Sequence, residues 1–205
     1  MINDARLDLI LNSKEYLTYL PELLEGIQDI NWPNVYCIVE FLNKHDVEVA
    51  PYVKTILLTE DTVWRYWMLT KLVSKWSKNT VEIVKSELLV IAELLDIYEE
   101  TDLESLDILL TKVIVDWADV RSIVVAKEET IHSGLSSFTT EQIEEFKELE
   151  KLRQEIIQTD ISLIPRYVQE NEQALKMKDK YVTLSNYLVS LDSLKIKHIV
   201  NDLPL

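Results

Sequence analysis

The sequence predicts an all-α fold, and three observations carry that prediction. Only two glycines, Gly26 and Gly134, occur in 205 residues, and no Asn-Gly or Asp-Gly pair is present to close a tight hairpin. Apolar residues recur in steps of three and four along most of the chain, which places them on one face of a helix. Residues that cap helices stand repeatedly at the start of these stretches. A hydrophobic fraction of 47% can furnish a core, and a chain of this length is expected to bury roughly 70% of its unfolded surface.

The first helix is expected over 4–19, with Leu7, Ile10, Leu11, Tyr16 and Leu17 available to pack. Pro21 opens a short helix to about Gln28, because proline at the first helical position gives up no hydrogen bond. By the same rule Asn31-Trp32-Pro33 starts a helix over 33–44, with Val35, Ile38, Val39 and Leu42 inward. After a turn at His45-Asp46 the next helix runs to about Leu58, with Pro51 in its first turn or as its opening residue. Asp61 caps a helix that carries Trp64, Trp67, Met68, Leu72 and Trp76.

Asn79 with Glu82 has the spacing of a capping box for a helix over 80–98, and Thr101 with Glu104 repeats it. The stripe Leu103, Leu106, Leu110, Val113, Trp117, Val120 and Val124 predicts a single helix of about 30 residues that stops at Gly134. A third box, Thr139 with Gln142, starts a helix to about Gln158 with Ile143, Phe146, Leu149, Leu152 and Ile156 inward. Asp160 to Pro165 breaks it. A last helix over 166–191 follows Met177, Tyr181, Leu184, Leu188 and Leu191. The tail from Leu194 is expected to dock as a short helix, with Pro204 ending regular structure.

Helices are short and rich in Trp before residue 100 and long afterwards. This predicts two domains, 1–100 built of stacked helical pairs and 101–205 a hairpin or bundle of longer helices. With no Gly/Ser linker between them, they are expected to share a core.

The formal net charge is −15, with 17 acids against 9 bases in residues 1–100 and 19 against 12 in the remainder. Nucleic acid and anionic membranes are disfavoured, because neither half offers the basic footprint that both require. A basic protein partner would be attracted, although negative charge also serves plain solubility. Cys37, the only cysteine, is expected to be a small buried hydrophobe. The opening Met1-Ile2-Asn3-Asp4-Ala5-Arg6 lacks a signal-peptide pattern. No apolar run approaches the ~20 residues of a membrane span, so a cytoplasmic location is expected.

Residues 20–98 resemble a small HEAT-like helical repeat domain of unknown function found in many bacterial proteins. The resemblance rests on Leu20-Pro21-Glu22-Leu23-Leu24, Gln28-Asp29-Ile30-Asn31-Trp32-Pro33, Val49-Ala50-Pro51-Tyr52-Val53-Lys54 and Asp61-Thr62-Val63-Trp64-Arg65-Tyr66-Trp67. Gly26 departs from it, standing where members often place a bulky aromatic. Residues 101–205 resemble nothing recognised. The resemblance implies a fold and no activity. By analogy, acidic repeat-like chains of this size occur among bacterial immunity proteins that neutralise toxins.

Two partner-binding candidates emerge. Trp64, Arg65 and Tyr66 either fill space between helices or supply interface anchors, a role in which these residue types are enriched. Between Lys85 and Lys112 no base interrupts eight acids, Glu87, Glu93, Asp96, Glu99, Glu100, Asp102, Glu104 and Asp107. This tract is either a solvated face with helix-start acids or a docking surface for a basic partner. Glu129 and His132 have the spacing of half a di-iron site, but neither His45 nor His198 has a glutamate three residues before it to complete one. No catalytic residues, metal site or cofactor are assigned. The expected function is non-enzymatic capture of a basic, toxin-like protein. A homodimeric scaffold is the alternative, and a helical-bundle metal enzyme a more distant one.

Overall fold

The computed structural model describes residues 4–199. Among them the chain forms twelve α-helices, short 3-10 turns and a π-helical turn, without strands. The chain groups into two units, Met1–Ile123 with Leu194–Leu205, and Val124–Ser193.

In the first unit α1 (Asp4–Leu11) is shorter than the sequence suggests. The chain turns at Ser13, whose Oγ accepts the Glu15 N–H, and a 3-10 turn leads into α2 (Leu20–Glu25) with Pro21 in its first turn. Gly26 ends α2. Pro33 starts no helix, because Asn34 adopts left-handed φ 68° and donates to Asp4 Oδ1 at 2.5 Å. Helix α3 (Val35–Lys44) begins after it. Cys37 lies on the outer face of α3 and is exposed, since Val35, Ile38 and Leu42 take the inner face.

Helix α4 (Asp46–Leu57) packs against α2 and α3 and contains Pro51 beyond its first turn. Its Val49, Ala50, Val53 and Leu57 are fully buried. Helix α5 (Thr62–Trp67) is capped as expected, with Asp61 Oδ1 accepting from Trp64 N at 2.8 Å. It gives way to a π turn over Met68–Leu72 and a 3-10 turn over Val73–Lys75. Thr70 and Ser74 bond back to the carbonyls four residues earlier, and Asn43 Nδ2 takes the Lys71 carbonyl. Such bonds compete with the regular ladder.

The helix expected over 80–98 is two helices, α6 (Lys78–Ile83) and α7 (Lys85–Glu93), packed on α4. Ser77, not Asn79, is the cap: its backbone is extended and its Oγ accepts from Thr80 N. Thr80 in turn donates to Asp46 Oδ2 at 2.9 Å. Helix α8 (Thr101–Thr111) follows a loop and packs along α7.

The long helix expected to reach Gly134 breaks after α8. Val113 takes φ 53°, Ile114 N donates to Leu109 O, and Val113 N donates to Leu110 O. That double bond pattern is the Schellman helix stop, usually made with glycine. Two lysines brace it, Lys78 Nζ on Val113 O at 2.7 Å and Lys85 Nζ on Ile114 O at 3.3 Å. Helix α9 (Trp117–Ser136) then carries Gly134 inside its last turns, so this glycine stops nothing.

In the second unit, a Cβ on Gly134 would lie 3.1 Å from Leu184 Cδ1, which makes close approach its role. The Thr139–Gln142 capping box forms with both bonds, opening α10 (Thr140–Thr159). Asp160 caps a 3-10 turn before α11 (Ile164–Glu170), which has Pro165 in its first turn. Asn171 separates α11 from α12 (Glu172–Ile199). The unit's core is Ile131, Phe146, Leu149, Tyr167, Leu184, Tyr187 and Leu191, and the Tyr167 hydroxyl donates to Leu149 O at 2.9 Å. Residues from Leu194 to Ile199 belong to α12 and are no separate helix. Pro204 lies outside the described residues.

Candidate protein-binding surface

The structure gives Trp64, Arg65 and Tyr66 separate surroundings. Arg65 is only 7% exposed, and its guanidinium donates to Leu57 O at 2.9 Å and to Thr59 O. It therefore closes the carboxyl end of α4, where orphan carbonyls and the helix dipole favour a cation, and it presents nothing to a partner. Tyr66 is half-buried, edge-on to Trp67 with ring centroids 4.9 Å apart. Trp64 is half-buried, and its indole N–H donates to Leu24 O at 3.2 Å. A second bond, Gln28 Nε2 to Asp61 Oδ2 at 3.0 Å, again ties the segment after α2 to the start of α5. Trp76, by contrast, is a core residue.

The acidic tract divides into three by environment. Asp96 and Asp102 are structural. Asp96 Oδ1 accepts the Tyr98 and Glu99 N–H groups and its Oδ2 accepts the Thr101 hydroxyl at 2.7 Å, which organises the loop into α8. This arrangement replaces the Thr101–Glu104 capping box, with Glu100 preceding α8 at φ 53°. Asp102 is completely buried.

Glu104 and Asp107 face the end of α12. Lys197 Nζ lies 2.7 Å from both Asp107 oxygens, and His198 Nε2 lies 2.7 Å from Oδ1. Burial pushes Asp107 up, but the hydrogen bonds and charges of Lys197 and His198 outweigh it and hold the carboxyl below the ordinary aspartate range. Burial, and then the Asp107 charge, raise Glu104. This patch is thus covered by Lys197 and His198 of the chain itself. Neither Lys197 nor His198 is recognisable as a site residue in sequence, because each meets Asp107 across some 90 positions.

The third part is the lip between α7 and α8. The Glu93 and Glu99 carboxylates have no ion pair or hydrogen bond among the described residues, and Glu87 is paired with Lys54 at 3.4 Å. Tyr98 is 78% exposed, and Leu94 and Leu95 are each over 40% exposed. A helix over 80–98 would carry these apolar residues near its end. Their exposure follows from α7 stopping at Glu93, after which Leu94 is extended with ψ 171°.

His132 lies 4.0 Å from Glu128 rather than pairing with Glu129. Among the described residues no group of three or more His, Cys, Asp or Glu could hold a metal ion, and no helix is long and apolar enough to cross a membrane.

Comparisons with curated proteins and with solved structures gave no match. A family model described as a domain of unknown function, DUF5071, matches residues 3–114, more than half of the chain. That span takes in α1 to α8, and with them the Arg65 closure, the Asp96 loop and the exposed lip. On this match the chain belongs to the DUF5071 family.

Proposed function

We propose that this chain is a non-enzymatic protein-binding module that captures a basic partner in the cytoplasm, in the manner of an immunity protein neutralising a toxin. The observation that carries the reading is the lip: Tyr98, exposed beside Leu94 and Leu95 and bracketed by the unpaired Glu93 and Glu99. A tyrosine with apolar neighbours supplies anchor area, and the carboxylates around it supply charge selectivity and faster encounter. The net charge of −15 extends the same preference over the molecule. A HEAT-like reading of the short helices, with α3 beside α4 and α7 beside α8, supports this role, because stacked helical pairs offer extended surfaces to a partner.

The test is purification of the tagged chain from its source at low and high salt, beside Tyr98→Ala and a Glu93→Gln/Glu99→Gln double variant. A basic protein that co-elutes at low salt and is lost with either variant is the expected result. Co-elution indifferent to both variants, or none at low salt, would sink the reading.

A homodimeric scaffold is the second reading, favoured by exposed apolar side chains in the second unit: Ile161 at 69%, Val189 at 66% and Val168 at 47%. Light scattering separates the two, a dimer mass at micromolar concentration supporting the scaffold.

A further inference from the structure

Between α2, α4 and α5 lies an open cleft of about 440 Å³. Pro21 and Pro51 form part of its wall, with Tyr52, Thr55 and Trp64 beside them and Leu24 and Ile56 below. Glu25 is the one charged residue of the lining, and its carboxylate has no hydrogen bond or ion pair among the described residues. Trp64 is held at both ends, its backbone N–H by Asp61 and its indole N–H by Leu24 O. With that donor spent inside the fold, the indole can offer a ligand only its apolar, electron-rich ring.

The geometry points to this cleft as a binding site for an arginine side chain presented by an extended, basic segment of the partner. A planar guanidinium stacks on an aromatic face and forks its N–H groups to a carboxylate, while its methylene stem lies on apolar surface. Indole, phenol, proline rings and a lone acid, all present in the lining, are groups that this side chain can use together. An anion would meet Glu25 with no compensating cation in the lining. An ammonium, compact and strongly hydrated, would meet the carboxylate as a point charge and has neither the planar face to stack nor the fork to bond it twice. The inference rests on the protein-binding reading and adds to it a second contact separate from the Tyr98 lip.

The experiment is an NMR titration of the Trp64 indole N–H resonance, assigned with Trp64→Phe, using acetyl-Pro-Arg-Pro-amide and its citrulline counterpart. The expected result is a saturable shift with the arginine peptide. Binding should weaken about tenfold or more with citrulline and in Glu25→Gln, the size of a lost charge-assisted contact. Because Glu25 is exposed, this variant keeps the fold, which the other indole resonances check. Absence of a saturable shift, equal shifts for the two peptides, or an unchanged affinity in Glu25→Gln would overturn the site. The titration needs no partner, so its failure is distinguishable from a failed capture at the Tyr98 lip.

Discussion

At Val113 a β-branched side chain holds φ at 53°, a conformation that costs non-glycine residues roughly 1–2 kcal/mol. It does so because the Schellman bonds of Leu109 and Leu110 and the two bracing lysines all require the turn there. The side chain itself is 62% exposed, so little packing is lost on its removal. Val113→Gly is therefore expected to raise the urea unfolding free energy by about 1 kcal/mol. Arg65 predicts the opposite. Arg65→Ala leaves two carbonyls without their donor near a buried helix end, and a loss of about 3 kcal/mol is expected in the same measurement. Were Arg65 an interface anchor, stability would be unchanged and binding alone would fall. Gly134 answers to space: Gly134→Leu must displace Leu184, with an expected cost of about 1–3 kcal/mol from overpacking.

Among elements, α10 is tied to α12 by the Glu150–Lys178 ion pair. The Lys178 hydrogen bond, then that of Gln154, holds the Glu150 carboxyl at about 2, below its ordinary 4.5. A depressed carboxyl stabilises the fold above its ordinary value, and that contribution is lost as pH falls through the folded one. Glu150→Gln should therefore narrow the difference in thermal midpoint between neutral pH and the acid range below 4.5. The effect is modest, because Glu150 is 40% exposed and solvent screens it. Asp107 has the same sign: its pairing with Lys197 and His198 helps above the ordinary aspartate value of 3.8 and fades below it. Replacing Lys197 and His198 with alanine is expected to speed amide hydrogen exchange at the end of α12 while leaving α10 protected. Equal exchange in both would remove the pairing as the cause.

For the molecule as a whole, the family match ends at residue 114, yet the first unit also takes in the chain from Leu194. A chain ending at Ser193 should retain the second unit's Phe138–Phe146–Tyr181 ring cluster but lose the Lys197 and His198 contacts to Asp107. The measurement is urea unfolding followed by hydrogen exchange. Faster exchange confined to α8 and its neighbours in the first unit is the expected outcome.

The sequence by itself determined the all-α class and the features that local chemistry encodes. Asp61 and the Thr139–Gln142 box act within three residues of the helices they start, and Pro165 needs only its own missing N–H, so each was legible in one dimension. The Ser77 cap is equally local, but Asn79 two residues on offers a competing box with Glu82, whereas the early end of α7 and the stop at Val113 were not legible in this way. The apolar stripe runs unbroken through Val113, and lysines 28 or more positions away make a left-handed valine tolerable there. The candidate surface divided for the same reason. Eight acids in a row of sequence look alike, but Asp102 was buried, Asp107 paired and Glu99 left open only by where the remaining helices packed. Charge is a property of residues, whereas its availability to a partner depends on burial and pairing, which only the tertiary structure decided.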